Sequence, residues 1–312
     1  MKLLVVASTF PSGDSDPIPA FVRNQLIAMK RVKPGLSISV LAPHDQYSGT
    51  SASRSRPAYD EYRFRYFWPR AAERLTGRGI LPAIRANPLN LLLVPFLFLG
   101  EFRALRSLVR RLEPDLVYAH WFTPQGVVAS LVSRITGTPF VFTTHASDVE
   151  IWRRVPVLGR FVVRRASRRA SAFTAVSRRS MQKLERFFPA DEWRDLSRRG
   201  AIIPMGVSLA DTVPAPSGES GPVEILFLGR LAEKKGVQYL LPAYADARTR
   251  MAQSVLTIAG DGPMRAQIER QARTLGLGDS VRFVGFVSGK AKAELIARAS
   301  IFVVPSIVTS GG

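Results

Sequence analysis

A regular alternation of short apolar runs with helical patterns constrains this chain more than any other feature. The first run, residues 3–7, reads Leu-Leu-Val-Val-Ala, and Val22, Leu26 and Met29 follow it at helical spacing. Parallel strands need crossover connections, which helices supply, so the alternation indicates an α/β fold with parallel sheets. Further strands are predicted at 38–42, 115–119, 140–143, 172–176 and 201–203.

The alternation is interrupted between Pro204 and Pro222, where proline, glycine and serine predominate. We therefore predict a first domain over 1–205, a linker over 206–222 and a second domain over 223–312. In the second domain the predicted strands are 223–228, 255–259, 281–284 and 301–304, and the predicted helices start near 235, 263 and 290. A doubly wound sheet typically has about six strands, so this domain is expected to be incomplete.

Composition limits the chemistry and the compartment. The 312 residues include no cysteine and only three histidines, which excludes disulfides, thiolate ligands and a histidine-rich metal site. Such a chain suits the reducing cytoplasm, and no secretory signal is recognised at its start. The most apolar stretch, residues 89–99, is shorter than the ~20 residues needed to span a bilayer, and we predict a buried helix there.

Positive charge is concentrated in one segment. The formal net charge is +20, and residues 153–179 contain nine arginines and no acid. Such a run attracts an anionic membrane surface or a phosphorylated substrate, and it is equally compatible with a solvated helix face. A membrane surface would make the protein peripheral on the inner face of the membrane. A nucleic-acid-binding module is an alternative, but no aromatic-interleaved motif supports a specific nucleic acid.

Four short segments place small, aromatic or charged residues directly after a predicted strand, where open α/β sheets bind their ligands. They contain Gly13; His145 and Asp148; Gly229, Arg230 and Lys235; and Gly260. His120 and Trp121 follow another strand. An arginine at a strand end and a lysine opening the next helix suit a diphosphate. Aromatic rings and imidazoles suit the faces and hydroxyls of a sugar.

These segments, in this order and spacing, resemble family 4 of the retaining GT-B glycosyltransferases, of the glycosyl transferases group 1 type. The resemblance spans almost the whole chain and includes Asp-Leu-Val-Tyr-Ala-His-Trp at 115–121, Thr-His-Ala-Ser-Asp at 144–148, Leu-Gly-Arg-Leu at 228–231 and Ala-Gly-Asp-Gly-Pro at 259–263. It implies two Rossmann-like, doubly wound parallel-sheet domains that face a cleft, with the second incomplete.

The resemblance also implies an activity. Such an enzyme moves a hexose from a UDP- or GDP-sugar to a glycan or lipid-linked acceptor with retention and without a metal or other cofactor. The residues implied to be catalytic are His145, Arg230 and Lys235. The residues implied to bind the donor are Gly13, Gly229, Arg230, Lys235, Gly260, Gly285, Phe286 and Val287. Those implied on the acceptor side are His120, Trp121 and Asp148.

Departures from the family pattern set the alternatives. Ala146 stands where the family usually has glycine, and the family's paired glutamates are missing because the sequence ends soon after Pro305-Ser306. We therefore expect a C-terminally truncated chain that binds donor but transfers sugar poorly or not at all. A metal-dependent transferase would use an Asp-x-Asp pair, and Asp14-Ser15-Asp16 supplies one, but in the first loop instead of late in the nucleotide-binding domain.

Overall fold

The computed structural model describes residues 1–13, 18–45, 48, 52–76, 79–145, 148–206, 222–251 and 253–307. The chain divides into two compact units, Met1–Val207 and Ser208–Gly312. Most of the predicted linker, residues 207–221, lies outside the described residues, as do Asp14, Asp16 and Ala146.

The first unit contains an eight-stranded sheet. Its strands are β1 (Lys2–Val6), β2 (Ser37–Pro43), β3 (Ser53–Ser55), β4 (Asp60–Phe64), β5 (Leu116–His120), β6 (Phe140–Thr144), β7 (Ala172–Ala175) and β8 (Gly200–Ile202). The order is β3-β4-β2-β1-β5-β6-β7-β8, and all neighbours are parallel except β3 and β4. The sequence did not predict β3 and β4. β4 contains charged residues that are buried as a pair, since Arg63 Nε donates to Glu61 Oε1 at 2.6 Å.

Helices cover both faces of this sheet. They are α1 (Phe21–Val32), α2 (Ile80–Ala86), α3 (Val94–Leu112), α4 (Val127–Thr136), α5 (Pro156–Arg169), α6 (Arg178–Glu185) and α7 (Ala190–Ser197). Leu3 and Val5 of β1 pack with α1 on one face. Leu4 and Val6 point to the other face, into a core shared with α3, α4 and α5. This alternation follows from the two-residue period of a strand, and it makes the unit doubly wound.

The prediction of a buried helix at 89–99 is wrong. Residues Pro88–Leu93 form a 3₁₀ turn, and α3 begins only at Val94. Leu89 and Leu92 are each 70% exposed, whereas Leu97 is fully buried. Apolar residues favour an apolar environment, but their sequence alone does not show whether other parts of the fold will cover them. Within the described residues, no helix is both long enough and apolar enough to cross a membrane.

The second unit is a smaller α/β domain, also built on a sheet with helices packed against it. Its strands are β9 (Val223–Leu228), β10 (Ser254–Ala259), β11 (Val281–Gly285) and β12 (Ile301–Phe302), and its helices are α8 (Val237–Arg248), α9 (Arg265–Thr274) and α10 (Gly289–Arg298). The strand order is β11-β10-β9-β12, with every neighbour parallel. Leu256 and Ile258 of β10 are fully buried against Leu241 of α8. The α/β prediction is confirmed for both units.

Candidate functional site

In the first unit, the predicted residues gather at the carboxyl ends of three adjacent strands. Gly13 lies in the loop after β1, His120 ends β5, and His145 directly follows β6. Because β1, β5 and β6 are consecutive and parallel, these ends share one edge of the sheet. This is the edge at which open α/β sheets bind ligands.

A pair of histidines lies at this edge. His120 Nδ1 and His145 Nε2 are 3.3 Å apart. His120 is fully buried, whereas His145 is half-buried. Burial lowers the pKa of His120 to about 3 and that of His145 to about 4. Both rings are therefore neutral at pH 7, so one must donate and the other accept, and the tautomer of each fixes that of the other.

The predicted acceptor-side role of His120 fits this burial poorly. A fully buried ring presents no surface to an acceptor, so the geometry gives His120 a positioning role through His145. Its Nε2 has no hydrogen-bond partner within the described residues. Since a buried N–H without a partner costs more than an unused acceptor lone pair, the favoured tautomer has His120 Nδ1–H donating to His145 Nε2.

Aromatic rings surround His145. The Trp121 ring centroid lies 4.9 Å from that of His145, and the Phe21 ring lies 5.6 Å from each of them. Both Trp121 and Phe21 are partly exposed. Trp121 has φ +72°, an unfavourable backbone conformation for a bulky residue. Strain of this kind persists where the surrounding structure imposes it, and it is commonest at functional sites.

Asp148 connects the loop after β5 to the loop after β6. Its carboxylate accepts the backbone N–H of Phe122 at 2.6 Å and that of His145 at 3.0 Å, as well as the Thr144 hydroxyl at 2.7 Å. Burial raises its pKa to about 6, and these donors oppose the rise. Because both oxygens accept hydrogen bonds within the protein, Asp148 positions His145; contact between Asp148 and an acceptor stays a prediction.

Three arginines that the sequence did not single out hold the loop before Gly13. Arg63 Nη2 donates to the Phe10 carbonyl at 2.7 Å, Arg56 Nη2 to the Ser12 carbonyl at 2.6 Å, and Arg23 Nη1 to the Gly13 carbonyl at 3.0 Å. They come from β4, the β3–β4 turn and α1, so no local motif could have identified them. A Cβ added at Gly13 would enter open space, and packing therefore does not require glycine there.

In the second unit, three predicted glycines lie together where β9, β10 and β11 end. Gly229 N donates to the Ala259 carbonyl at 2.9 Å, and Gly260 N donates to the Gly285 carbonyl at 2.6 Å. A Cβ at Gly260 would lie 1.9 Å from the Gly229 carbonyl oxygen, and Gly260 also has φ +140°. Glycine is therefore required at 260 by the close approach of two backbones.

Arg230 and Lys235 lie in the turn between β9 and α8, at the same edge. Arg230 is exposed and Lys235 is partly exposed. Neither side chain has an ion pair or hydrogen bond within the described parts of the chain. Phe286, which follows β11, is 67% exposed, and Val287 is partly exposed. Lys234, which is exposed in the same turn, has no such partner within the described residues either, so the turn presents three uncompensated cations beside the glycines and an exposed aromatic ring.

Two family models together cover residues 49–312. Residues 49–211 match the model described as Glycosyltransferase Family 4, and residues 212–312 match the one described as Glycosyl transferases group 1. The chain belongs to glycosyltransferase family 4. The resemblance to family 4 drawn from the motifs is confirmed, while retention and truncation stay predictions.

Curated relatives of this family 4 chain are similar over part of their length. A 2-deoxystreptamine glucosyltransferase from Streptomyces kanamyceticus is 27% identical over 64% of this chain and 56% of its own. A GDP-mannose-dependent α-(1-6)-phosphatidylinositol monomannoside mannosyltransferase from Mycolicibacterium smegmatis is 26% identical over 62% of this chain and 51% of its own. The chain therefore spans about half the length of these relatives.

A solved structure supports the architecture of the family 4 chain. One such structure is that of Anabaena HepE, crystallised in complex with UDP and glucose. The two chains are 18% identical, and their superposition covers 98% of this chain and 74% of the HepE chain, with a TM-score of 0.57. At this identity the likeness concerns the fold alone. The GT-B fold predicted from the sequence is confirmed, while the predicted cleft between the domains stays a prediction.

Proposed function

We propose that this family 4 glycosyltransferase moves a hexose from a UDP- or GDP-sugar to a glycan or lipid-linked acceptor, with retention of the anomeric configuration. The relatives support a nucleotide-sugar donor, since one is named as GDP-mannose-dependent and the HepE structure contains UDP and glucose. Retention, the sugar and the acceptor rest on the family resemblance.

The observation that carries the proposal is the group of uncompensated cations in the turn after β9, of which Arg230 and Lys235 are the two that the family resemblance implies. A nucleoside diphosphate gains negative charge as it leaves the sugar, and an arginine and a lysine close to the diphosphate stabilise that charge. The adjacent Gly260 lets backbone approach closely, while Phe286 offers a ring face to a nucleobase. Arg230 and Lys235 are thus proposed to hold the diphosphate, and the segment 285–287 to meet the base.

His145 is proposed to contact the donor sugar near the reacting carbon. Its low pKa keeps it neutral, so it offers a hydrogen bond to a hydroxyl without adding positive charge. His120 fixes its tautomer and Asp148 fixes its backbone. Trp121 supplies an apolar ring face, which suits the C–H face of a sugar.

We propose that the reaction requires no metal, because Arg230 and Lys235 supply the positive charge that a divalent cation would otherwise contribute. We also propose a cytoplasmic location, which the cysteine-free composition suits.

The test is a transfer assay. The protein is incubated with UDP-glucose, UDP-galactose or GDP-mannose and soluble or lipid-linked glycan acceptors, with and without a metal chelator, and nucleotide release is measured. Proton NMR of the product gives its anomeric configuration. Any transfer should use one donor with retention, and Arg230→Ala and Lys235→Ala should abolish use of that donor while Lys234→Ala should not. Unchanged turnover in both variants would overturn the assignment.

A further inference from the structure

A groove of about 850 Å³ lies between α4 and α5 of the first unit. Its lining is unusual because six arginines contribute to it: Arg134, Arg160, Arg164, Arg165, Arg168 and Arg169. We call this the arginine groove. It lies outside the site described above, and the proposed sugar transfer uses none of its residues.

Little of this positive charge is neutralised. Glu192 pairs with Arg164 and Arg168, the latter at 2.6 Å. Within the described residues, no acid pairs with Arg134, Arg160, Arg165 or Arg169, and Arg169 instead donates to the Ser133 carbonyl at 2.7 Å. The sequence between Glu150 and Glu185 contains no acid. The groove therefore has a positive field that an anionic partner would satisfy.

Apolar side chains stand exposed among these arginines. On α5, Val157 is 87% exposed, Leu158 56% and Phe161 60%, and on α4 Leu131 and Ile135 are about half exposed. The Arg165 guanidinium lies 5.8 Å from the centroid of the Phe161 ring. A solvated helix face would carry polar residues at these positions, so the mixture of arginine and apolar residues indicates an amphipathic partner.

The topology extends this surface. α3, α4 and α5 lie side by side on one face of the sheet, since α4 contacts both of the others. Each runs back from the carboxyl edge of the sheet, so α3 and α5 both begin at that edge. The exposed leucines 89, 91 and 92 precede α3, and Val157 and Leu158 begin α5. Two exposed apolar segments thus lie at the same edge as Trp121 and His145.

We propose that the arginine groove and these apolar segments dock the protein on an anionic lipid bilayer. Lipid phosphates would meet the arginines, while the valine, leucine and phenylalanine side chains would enter the acyl boundary. A nucleic acid would satisfy the charge but not the exposed aliphatic side chains. Docking through the α4–α5 face places the first turns of α3 and α5, and with them the carboxyl edge of the first unit, beside the membrane, where a lipid-linked acceptor resides.

The test is sedimentation of the full chain with vesicles of phosphatidylcholine, with and without 30% phosphatidylglycerol. One double variant, Arg160→Gln with Arg165→Gln, removes two charges from the groove. The matched control, Arg31→Gln with Lys33→Gln, removes two exposed charges on and just after α1, which packs on the opposite face of the sheet. A third variant, Val157→Ser with Phe161→Ser, removes two exposed apolar side chains at no cost to the core.

We expect the protein to bind anionic vesicles and not phosphatidylcholine alone. Each arginine near an anionic surface contributes about 1 kcal/mol, so the groove variant should bind roughly 30-fold more weakly, and the control should change by less than about threefold. Salt at 0.5 M NaCl screens the charges but not the apolar contacts, so the serine variant should lose the binding that the wild type keeps at this salt concentration.

No vesicle binding, an equal loss in both charge variants, or arginine-dependent binding to a short RNA but not to vesicles would overturn the proposal. Vesicle binding needs no sugar transfer, so these outcomes are independent of the proposed activity.

Discussion

Replacing Glu101 by glutamine should stabilise the protein, and by more at higher pH. Glu101 lies on α3, fully buried, and its Oε2 accepts from Gln125 Nε2 at 3.0 Å, in the segment that follows Trp121. Burial raises its pKa to about 8, and the Gln125 hydrogen bond only partly opposes the rise. The carboxyl is therefore protonated in the folded state at pH 7 and ionised in the unfolded state.

The magnitude follows from the two pKa values. The folded state keeps a proton that the unfolded state loses above pH 4.5, so stability falls as the pH rises from about 4.5 to 8. At pH 7, which is about 2.5 units above the unfolded-state pKa of 4.5, the stability lost in this way is about 3 kcal/mol. An amide cannot ionise, and it can pair with both the Nε2 and the Oε1 of Gln125, the latter of which has no partner among the described residues. Glu101→Gln should therefore gain about 3 kcal/mol at pH 7 and under about 0.5 kcal/mol at pH 4.5.

Urea unfolding followed by tryptophan fluorescence at pH 4.5 and 7 measures both values. The matched control is Glu73→Gln, because Glu73 is also buried but its Oε1 accepts the N–H groups of Tyr66 and Phe67. An amide accepts these bonds less strongly than a carboxylate, so this variant should be less stable than the wild type. A pH-independent effect of Glu101→Gln, or a loss of stability at pH 7, would refute the reasoning.

The remaining predictions concern residues at the strand ends of each unit. Asp148→Ala removes the acceptor for at least two backbone N–H groups and should cost about 3 kcal/mol in urea unfolding; a loss below about 1 kcal/mol would show that the loops hold without it. His120→Ala should lower transfer about tenfold, the equivalent of one hydrogen bond, and change the ¹⁵N tautomer pattern of His145 in NMR; an unchanged pattern contradicts the positioning role. Gly260→Ala should destabilise the second unit by more than about 2 kcal/mol, whereas Gly13→Ala should leave thermal stability within about 0.5 kcal/mol.

The sequence predicted those elements whose apolar residues repeat with a clear period. β1, β5, β6 and β9 were all located to within one residue at each end, because a strand buried on both faces is a continuous apolar run. β4 was missed, since its burial depends on Arg63 pairing with Glu61 and Asp45, a partner 18 residues away. A hydropathy pattern predicts that charged residues are exposed, because the ion pairs that allow these residues to be buried form only on folding.

The sequence predicted which residues belong to the candidate site but not what each of them does there. The sequence identified His120, His145 and Asp148, because polar residues that directly follow an apolar run indicate the end of a strand. That His120 is buried behind His145, and that Asp148 uses both oxygens within the protein, depends on contacts between separate loops. The exposed leucines before α3 show the same limit, since only the packed structure shows which face of an apolar segment is covered.

The most direct test of the central claim is calorimetric titration of UDP and GDP into the folded chain and into three variants. The account predicts that one nucleotide binds, and that Arg230→Ala and Lys235→Ala each weaken it at least about tenfold, the equivalent of about 1.4 kcal/mol. Lys234→Ala, which removes the exposed neighbouring charge, should bind like the wild type. Failure of the folded chain to bind either nucleotide, or equal affinity in all four proteins, would contradict the assignment of the β9–α8 turn as the diphosphate site.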